Sequence, residues 1–292
     1  MNEVPTVPTF TRESRIPKIV HQIFISKDPL PPVLAKNIES IKAMNPLWEH
    51  RLYNDQTIND FIIQHYSPQV LDIFHKINPK YAAARADLFR YLALYKCGGV
   101  YLDIKSSTSK PLDEVLQPDD RFLLSSWRNS PGEPHVGLGC PKEFGSDTKR
   151  ELQQWHVVAA PGHPFLKAVI ERVLHNIQAY RPWSNGVGSK GVCRTTGPIA
   201  YTLAIEPLMA SNSYRKVANE TDLSLQYSVY EGRRHVGALG THYGFLSDPV
   251  VTMTNWRHFA AALYSRGRNA LIRTRSGYRQ LRVLLRKSAP PQ

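Results

Sequence analysis

Apolar positions recur along this chain with two different periods. Lys18 to Ile25 is a short apolar run interrupted only by His21 and Gln22, which predicts a buried strand; Val33 to Met44 repeats with helical spacing and closes at Asn45-Pro46. A strand over His50 to Tyr53, a helix over Gln56 to Tyr66, a strand over Arg121 to Ser126 and a helix over Phe165 to Tyr180 follow. Strands that alternate with helices predict an α/β fold with a parallel-rich sheet, whose ligands bind beyond the carboxyl ends of the strands. The Pro-, Gly- and Ser-rich stretch from Asn129 to Asp147 predicts a surface loop, and a second loop is expected from Arg181 to about Arg194.

The most informative pattern lies between these elements. Asn78 as N-cap, Pro79 at the first helical position, Leu88, Tyr91, Leu92 and Tyr95 at i, i+3, i+4 and i+7, and Gly98 as terminator predict a helix. Asp87 and Arg90, three residues apart, share one face of it. After the Gly98-Gly99 turn, Val100 to Lys105 alternates, so that Tyr101, Asp103 and Lys105 point one way and Val100, Leu102 and Ile104 point into the core. Two polar sets therefore converge where a helix hands over to a strand. The plain alternative is a solvated Asp87–Arg90 pair, nearly neutral in energy, with Asp103 an ordinary turn residue.

The order of these residues resembles glycosyltransferase family 32. Its hallmark stands here as Ala86-Asp87-Leu88-Phe89-Arg90-Tyr91 and Gly98-Gly99-Val100-Tyr101-Leu102-Asp103-Ile104-Lys105. Ile16-Pro17-Lys18-Ile19-Val20-His21-Gln22-Ile23-Phe24, Gln154-Trp155, Pro161-Gly162-His163-Pro164 and Thr196-Gly197-Pro198 follow the family's order, so the likeness covers roughly residues 16 to 205. The resemblance implies a GT-A-type nucleotide-sugar-binding fold, a Rossmann-like mixed sheet flanked by helices. It also implies transfer of a hexose from a UDP- or GDP-linked donor to a glycan or glycolipid acceptor, with retention of configuration.

By the same resemblance Asp87 and Arg90 hydrogen-bond the donor sugar, Gly98, Gly99 and Tyr101 belong to the donor-binding turn and strand, and Phe24 is a candidate platform for the base, with a core phenylalanine as its plain alternative. Thr254 and Trp256 resemble a segment that closes over the diphosphate, while Gln154, Trp155, Gly162 and His163 fall on the acceptor side. His21 and His163 also have bland readings, a satisfied core group and a turn cap. Asp103 and Lys105 are the candidate catalytic residues. Where the family has a second, metal-binding aspartate, this chain has Lys105. Either the Lys105 ammonium supplies charge to the diphosphate, or Asp103 still holds Mn²⁺ or Mg²⁺; the greater pull of a hard divalent ion on a departing diphosphate favours the metal.

Composition narrows the class. The 292 residues, 42% hydrophobic, suffice for a sizeable core, and no apolar run approaches the roughly 18 residues of a membrane-spanning helix. Met1 to Arg15 lacks the pattern of a secretory signal and reads as a loose polar arm. The cysteines Cys97, Cys140 and Cys193 have neither metal-ligand spacing nor an even count, which points to a reducing, cytoplasmic setting. From Phe259 to Gln292 there are eight Arg or Lys and no Asp or Glu, so without this tail the net charge falls from +13 to +5. Residues 1–258 are thus expected to form the catalytic domain and 259–292 a basic amphipathic tail suited to an anionic inner membrane face. A nucleic-acid binder fits less well, because most of the excess charge sits in the tail and no aromatic-basic module is visible. A catalytically inactive sugar-nucleotide binder is the other alternative, motivated by Lys105.

Overall fold

The computed structural model describes residues 5–139, 142–144, 151–230, 243–253 and 267. In chain order the main elements are β1 (Ile19–Ile23), α1 (Pro32–Met44), β2 (Glu49–Tyr53), α2 (Asp55–His65), α3 (Pro68–Lys76), α4 (Ala82–Cys97), β3 (Gly99–Leu102), β4 (Ser107–Thr108), α5 (Leu112–Val115), β5 (Phe122–Leu124), β6 (His156–Ala159), α6 (Pro164–Gln178), α7 (Pro182–Asn185), α8 (Gly188–Thr195), α9 (Pro198–Ile205), β7 (Arg215–Lys216) and β8 (Leu225–Gln226). Six strands form one sheet in the order β2-β1-β3-β6-β5-β7. β1 runs parallel to β2 and β3, β6 is antiparallel to both β3 and β5, and β5 is parallel to β7. The sheet is therefore mixed and parallel-rich, as expected, with β6 the reversed strand among these six.

The two faces of the sheet bury separate cores. Tyr101, Val157 and Ala159 join helices α2, α3, α4, α6 and α9 on one side, while Val100, Leu102, Val158 and Leu123 pack with Ile41 of α1 and Leu112 of α5 on the other. Every residue of β3 is buried. The alternation read from the sequence is real, but both of its faces lie in cores, as is usual for strands covered on both sides. Helix α4 is buried almost all round, from Ala84 to Tyr95, so Asp87 and Arg90 do not form the exposed pair of the plain reading.

Local chemistry explains where the elements depart from expectation. Helix α4 begins at Ala82, after Tyr81, and not at Pro79. Asn78 spends its side chain on the Pro249 carbonyl and the Lys80 N–H, and its carbonyl accepts from Tyr81, so Asn78-Pro-Lys-Tyr closes a turn before the helix starts. Gly98 does end the helix, at φ 64°. The expected loop over Arg181 to Arg194 contains α7 and α8; Tyr180 Oη donates to the Gly186 carbonyl, the Gly188 N–H donates to Tyr81 Oη, and Val187 and Val192 are buried. Tertiary packing supplies a helix that Gly, Ser and Lys would not form alone.

The start of the chain is not a loose arm over its described part. Val7 is buried, and Phe10 packs edge-on to Tyr66 at 5.6 Å and against Tyr95 at 5.2 Å, with Lys96 Nζ 4.4 Å above its ring. Glu13 N–H donates to the Pro161 carbonyl. This segment seals the sheet at the amino end of β3. Among the described residues no helix is long and apolar enough to cross a membrane. The tail 259–292, except Gly267, lies outside the described residues, as do Cys140, Thr254 and Trp256.

Candidate functional site

The chain leaves β1 to pair β2 on one side and returns with β3 on the other, which places a crevice beyond the carboxyl ends of β1 and β3. A cavity of about 840 Å³ occupies that position, with Phe24 and Ser26 after β1 and Asp103 and Lys105 after β3 in its wall. Residues 103–106 leave the strand in a turn: Asp103 N–H donates to the Trp155 carbonyl, and the Asp103 carbonyl accepts from Ser106 N–H and from Gln22 Nε2. That turn aims both side chains at the cavity.

Four charges line the floor. Arg90 and Asp87 pair at 2.8 Å with side chains only 4% and 3% exposed, and Arg90 Nη1 lies 3.3 Å from Asp103 Oδ1. Tyr101 Oη donates to the same oxygen at 2.9 Å, and Lys105 Nζ donates to Asp103 Oδ2 at 2.9 Å. Lys105 also sits over the Tyr227 ring at 4.4 Å, and Arg90 over Tyr101 at 4.4 Å. Burial pushes the Asp103 carboxyl up, but Lys105 and Arg90 outweigh it and hold the group below its ordinary value. Burial likewise pulls Lys105 down, and the Asp103 charge more than restores it. For Asp87 burial wins over Arg90, Thr196 and Gln154, so that carboxyl lies above its ordinary value.

The partners define what each group has left to offer. Asp87 takes Arg90 and Gln154 Nε2 on Oδ1 and Thr196 Oγ1 on Oδ2, leaving one of the roughly four lone-pair positions of a carboxylate toward the cavity it lines. Arg90 directs its N–H groups at the Ala86 and Gln154 carbonyls, Asp87 and Asp103, so it holds the two acids in place instead of presenting a fork to a sugar. Lys105 donates to Asp103 alone among the described residues and keeps donors free.

Phe24 is half-buried in the cavity wall, packed on Leu34, Ile38 and Ile104, and not a core phenylalanine. Gln154 and Trp155 also line the cavity. Gly98, Gly99, Gly162 and His163 do not. Gly98 and Gly99 lie at the far end of β3, His163 caps α6 through Nδ1 and meets the Ser213 carbonyl through Nε2, and a Cβ on Gly162 would stand 2.6 Å from the Thr11 carbonyl oxygen. Their expected donor and acceptor contacts give way to backbone and packing roles. His21 is the satisfied core group of its bland reading, between Tyr53 Oη and the Gly98 carbonyl, and burial brings it down to about 4.

Sequence reading missed Thr196, although Thr196-Gly197-Pro198 was visible as a motif, and it missed Glu151 and Tyr227. Glu151 lines the cavity, accepts from Trp127 Nε1 at 2.9 Å, and is lifted by burial to about 7. No local signal marks it, because its environment comes from Trp127, more than 20 residues away in sequence. Cys193 lines the same cavity, its thiol pushed up to about 12 by burial.

The expected Mn²⁺ or Mg²⁺ does not fit these residues. A divalent ion needs several oxygen ligands, usually anionic carboxylates among them. Here each oxygen of Asp103 faces a cation, and among the described residues no group of three His, Cys, Asp or Glu is placed to hold a metal.

Residues 31–123 match the family described as the glycosyltransferase sugar-binding region containing a DXD motif. The chain is 28% identical over 207 residues to an initiation-specific alpha-1,6-mannosyltransferase of Schizosaccharomyces pombe, covering 65% of this chain and 48% of that protein. It is 30% identical to the Candida albicans protein of the same name, covering 52% and 40%. It is 28% identical to a mannosyl phosphorylinositol ceramide synthase of Saccharomyces cerevisiae, covering 60% and 40%. The chain thus spans under half the length of these relatives. Among solved structures, the PaToxG glycosyltransferase superposes with a TM-score of 0.49 at 16% identity, covering 68% of this chain and 71% of that one.

Proposed function

We propose that the chain, whose residues 31–123 match the glycosyltransferase sugar-binding region containing a DXD motif, moves a hexose from a nucleotide-sugar donor to a glycan or lipid-linked acceptor, with retention. The observation that carries this reading is the buried Asp87–Arg90–Asp103–Lys105 set on the floor of a cavity at the carboxyl ends of β1 and β3. Asp87, anchored by Thr196, Gln154 and Arg90, accepts a sugar hydroxyl at its remaining lone pair and orients the ring. Phe24 gives the base an apolar face at the cavity wall. Lys105 stands where charge grows on the diphosphate, and a cation fixed there before reaction needs no reorganisation when the bond breaks.

Acceptor attack from the same face as the departing diphosphate requires no enzyme nucleophile, which suits a floor whose acids are already paired. Gln154, Trp155 and Glu151 form the side from which the acceptor approaches. Relatives named for mannosyl transfer, one of them to a ceramide lipid, support mannose as the sugar and a membrane lipid as one acceptor class. The basic segment 259–292 is proposed to hold the enzyme on an anionic inner membrane face, and its deletion is expected to lower binding to anionic vesicles while sparing transfer to a soluble acceptor.

The deciding experiment incubates purified protein with UDP- and GDP-hexoses and with oligosaccharide or glycolipid acceptors. An acceptor heavier by one hexose, together with released nucleoside diphosphate, is the expected result. Donor binding without any transfer or donor hydrolysis would instead identify an inactive sugar-nucleotide binder, the reading that Lys105 motivates.

A further inference from the structure

The family motif supplies two carboxylates to a divalent ion, and this chain keeps only the first. Exchanging an aspartate for a lysine at position 105 moves the local charge by two positive units, the charge that one divalent ion would bring. Asp87, Arg90, Asp103 and Lys105 therefore balance one another without a metal, whereas a divalent ion added among them would leave the floor with an excess of two positive charges. The geometry agrees with the count. Lys105 Nζ stands 2.9 Å from Asp103 Oδ2, its side chain 12% exposed, while Arg90 and Tyr101 hold Oδ1. Among the described residues, each carboxylate oxygen of Asp87 and Asp103 already faces a cation or a hydroxyl proton.

The lysine is also fixed like a built part. Its Nζ lies over the Tyr227 ring at 4.4 Å, its backbone carbonyl accepts from Val229 N–H, and Asn37 Nδ2 donates to the carbonyl of neighbouring Ser106. An ammonium so held is a preorganised cation with spare donors facing the cavity.

We propose that Lys105, set against Asp103, replaces the divalent ion: its ammonium takes the donor diphosphate, and transfer proceeds without metal. This rests on the donor reading of the cavity. In the transfer step the bond between the anomeric carbon and the phosphate oxygen breaks, and its electron pair stays on the diphosphate beside Lys105. The acceptor oxygen bonds to the same carbon, and its proton passes to the released diphosphate. Asp103 is a positioning residue in this arrangement, since it acts through Lys105.

The test is binding of UDP and of GDP, by calorimetry and thermal shift, to protein stripped with EDTA and to the same protein in excess Mn²⁺. Wild type is expected to bind one of the two nucleotides within about twofold in both media. Lys105→Met should weaken that binding by about tenfold or more in both, Lys105→Asp should do so in EDTA and recover in Mn²⁺, and Lys105→Arg should keep it. Circular dichroism and melting check that each variant folds, and the metal independence of the wild type stands whether or not a variant does. Wild-type binding that appears only with Mn²⁺, or a folded Lys105→Met that binds like wild type, overturns the proposal and leaves the transferase reading in place. Failure of both nucleotides to bind in either medium removes the donor site itself, and the proposal with it.

Discussion

At the start of β3, Gly98 and Gly99 take φ values of 64° and 106°, and a Cβ on either would press within 2.5 Å of Pro161 Cδ or the Ile19 carbonyl oxygen. At its finish, Asp103 and Lys105 stand beside a cavity of about 840 Å³. The four-residue strand β3 joins a place where nothing more fits to a place with room to receive something. Polar groups at the closed end are used up: His21 joins Tyr53 to Gly98, His163 caps α6, and the segment around Phe10 covers them. Polar groups at the open end are paired with one another yet keep a lone pair on Asp87 and donors on Lys105. Motif residues at one end therefore hold the backbone, and those at the other line the cavity.

The sharpest way to break this comparison is Arg90→Ala, which takes the cation from buried Asp87 and one of the two from Asp103. Removing one partner of a buried ionic set costs about 3–5 kcal/mol, so denaturant unfolding should show a loss of that order together with lost transfer. A variant as stable as wild type would mean that the open end is solvated and the floor is not a unit.

At the closed end, Gly99→Ala forces a side chain into a left-handed backbone and against the Ile19 carbonyl, a strain of about 1–3 kcal/mol. Its turnover per folded molecule should nevertheless match wild type. Impaired turnover in a stable Gly99→Ala would return Gly99 to the donor site. Asp87→Asn, by contrast, keeps shape but weakens the acceptor for the sugar hydroxyl; transfer should fall about tenfold, or 1.4 kcal/mol in barrier, with a smaller shift in melting than Arg90→Ala produces.

The helix α4 and its glycine stop were readable because periodicity and terminator are local properties, and the acid-base pair on one face followed from helical spacing alone. Burial of that pair was not readable. It depends on Gln154 and Thr196, which the fold brings in from more than 60 residues downstream. Gly162 and His163 misled in the opposite sense, since a motif in order along the chain does not say at which end of a strand it lands.

The two ends also differ in acid. Burial lowers His21 and His163 from 6.5 to about 4, and it raises Glu151 from 4.5 to about 7. A histidine whose folded value is depressed contributes stability above pH 6.5 and loses it as pH falls toward 4, because the unfolded chain binds the proton more readily. Glu151 runs the other way, stabilising below about 4.5 and losing that contribution as pH rises through 7. Melting temperature should therefore drop between pH 6.5 and 4 in wild type, and the rise in stability as Glu151 takes its proton should vanish in Glu151→Gln. An unchanged pH profile in that variant would place Glu151 in solvent. The smallest effect is expected from Phe24→Ala, about 0.5–1.5 kcal/mol, seen as a two- to tenfold rise in donor KM with little change in kcat.

The sequence by itself determined the α/β class, the order of most strands and helices, the glycine turn and the identity of the charged residues, since each depends on spacing between near neighbours. Only the tertiary structure decided that Asp87 and Arg90 are buried, that Arg90 serves the two acids, that Thr196 anchors Asp87, that Glu151 and Tyr227 join the cavity, and that the Gly162-His163 turn lies away from it. Burial and ion pairing depend on which distant segments meet across the sheet, and β6, the reversed strand that carries Gln154 and Trp155 to the open end and Pro161 to the closed one, sets that meeting.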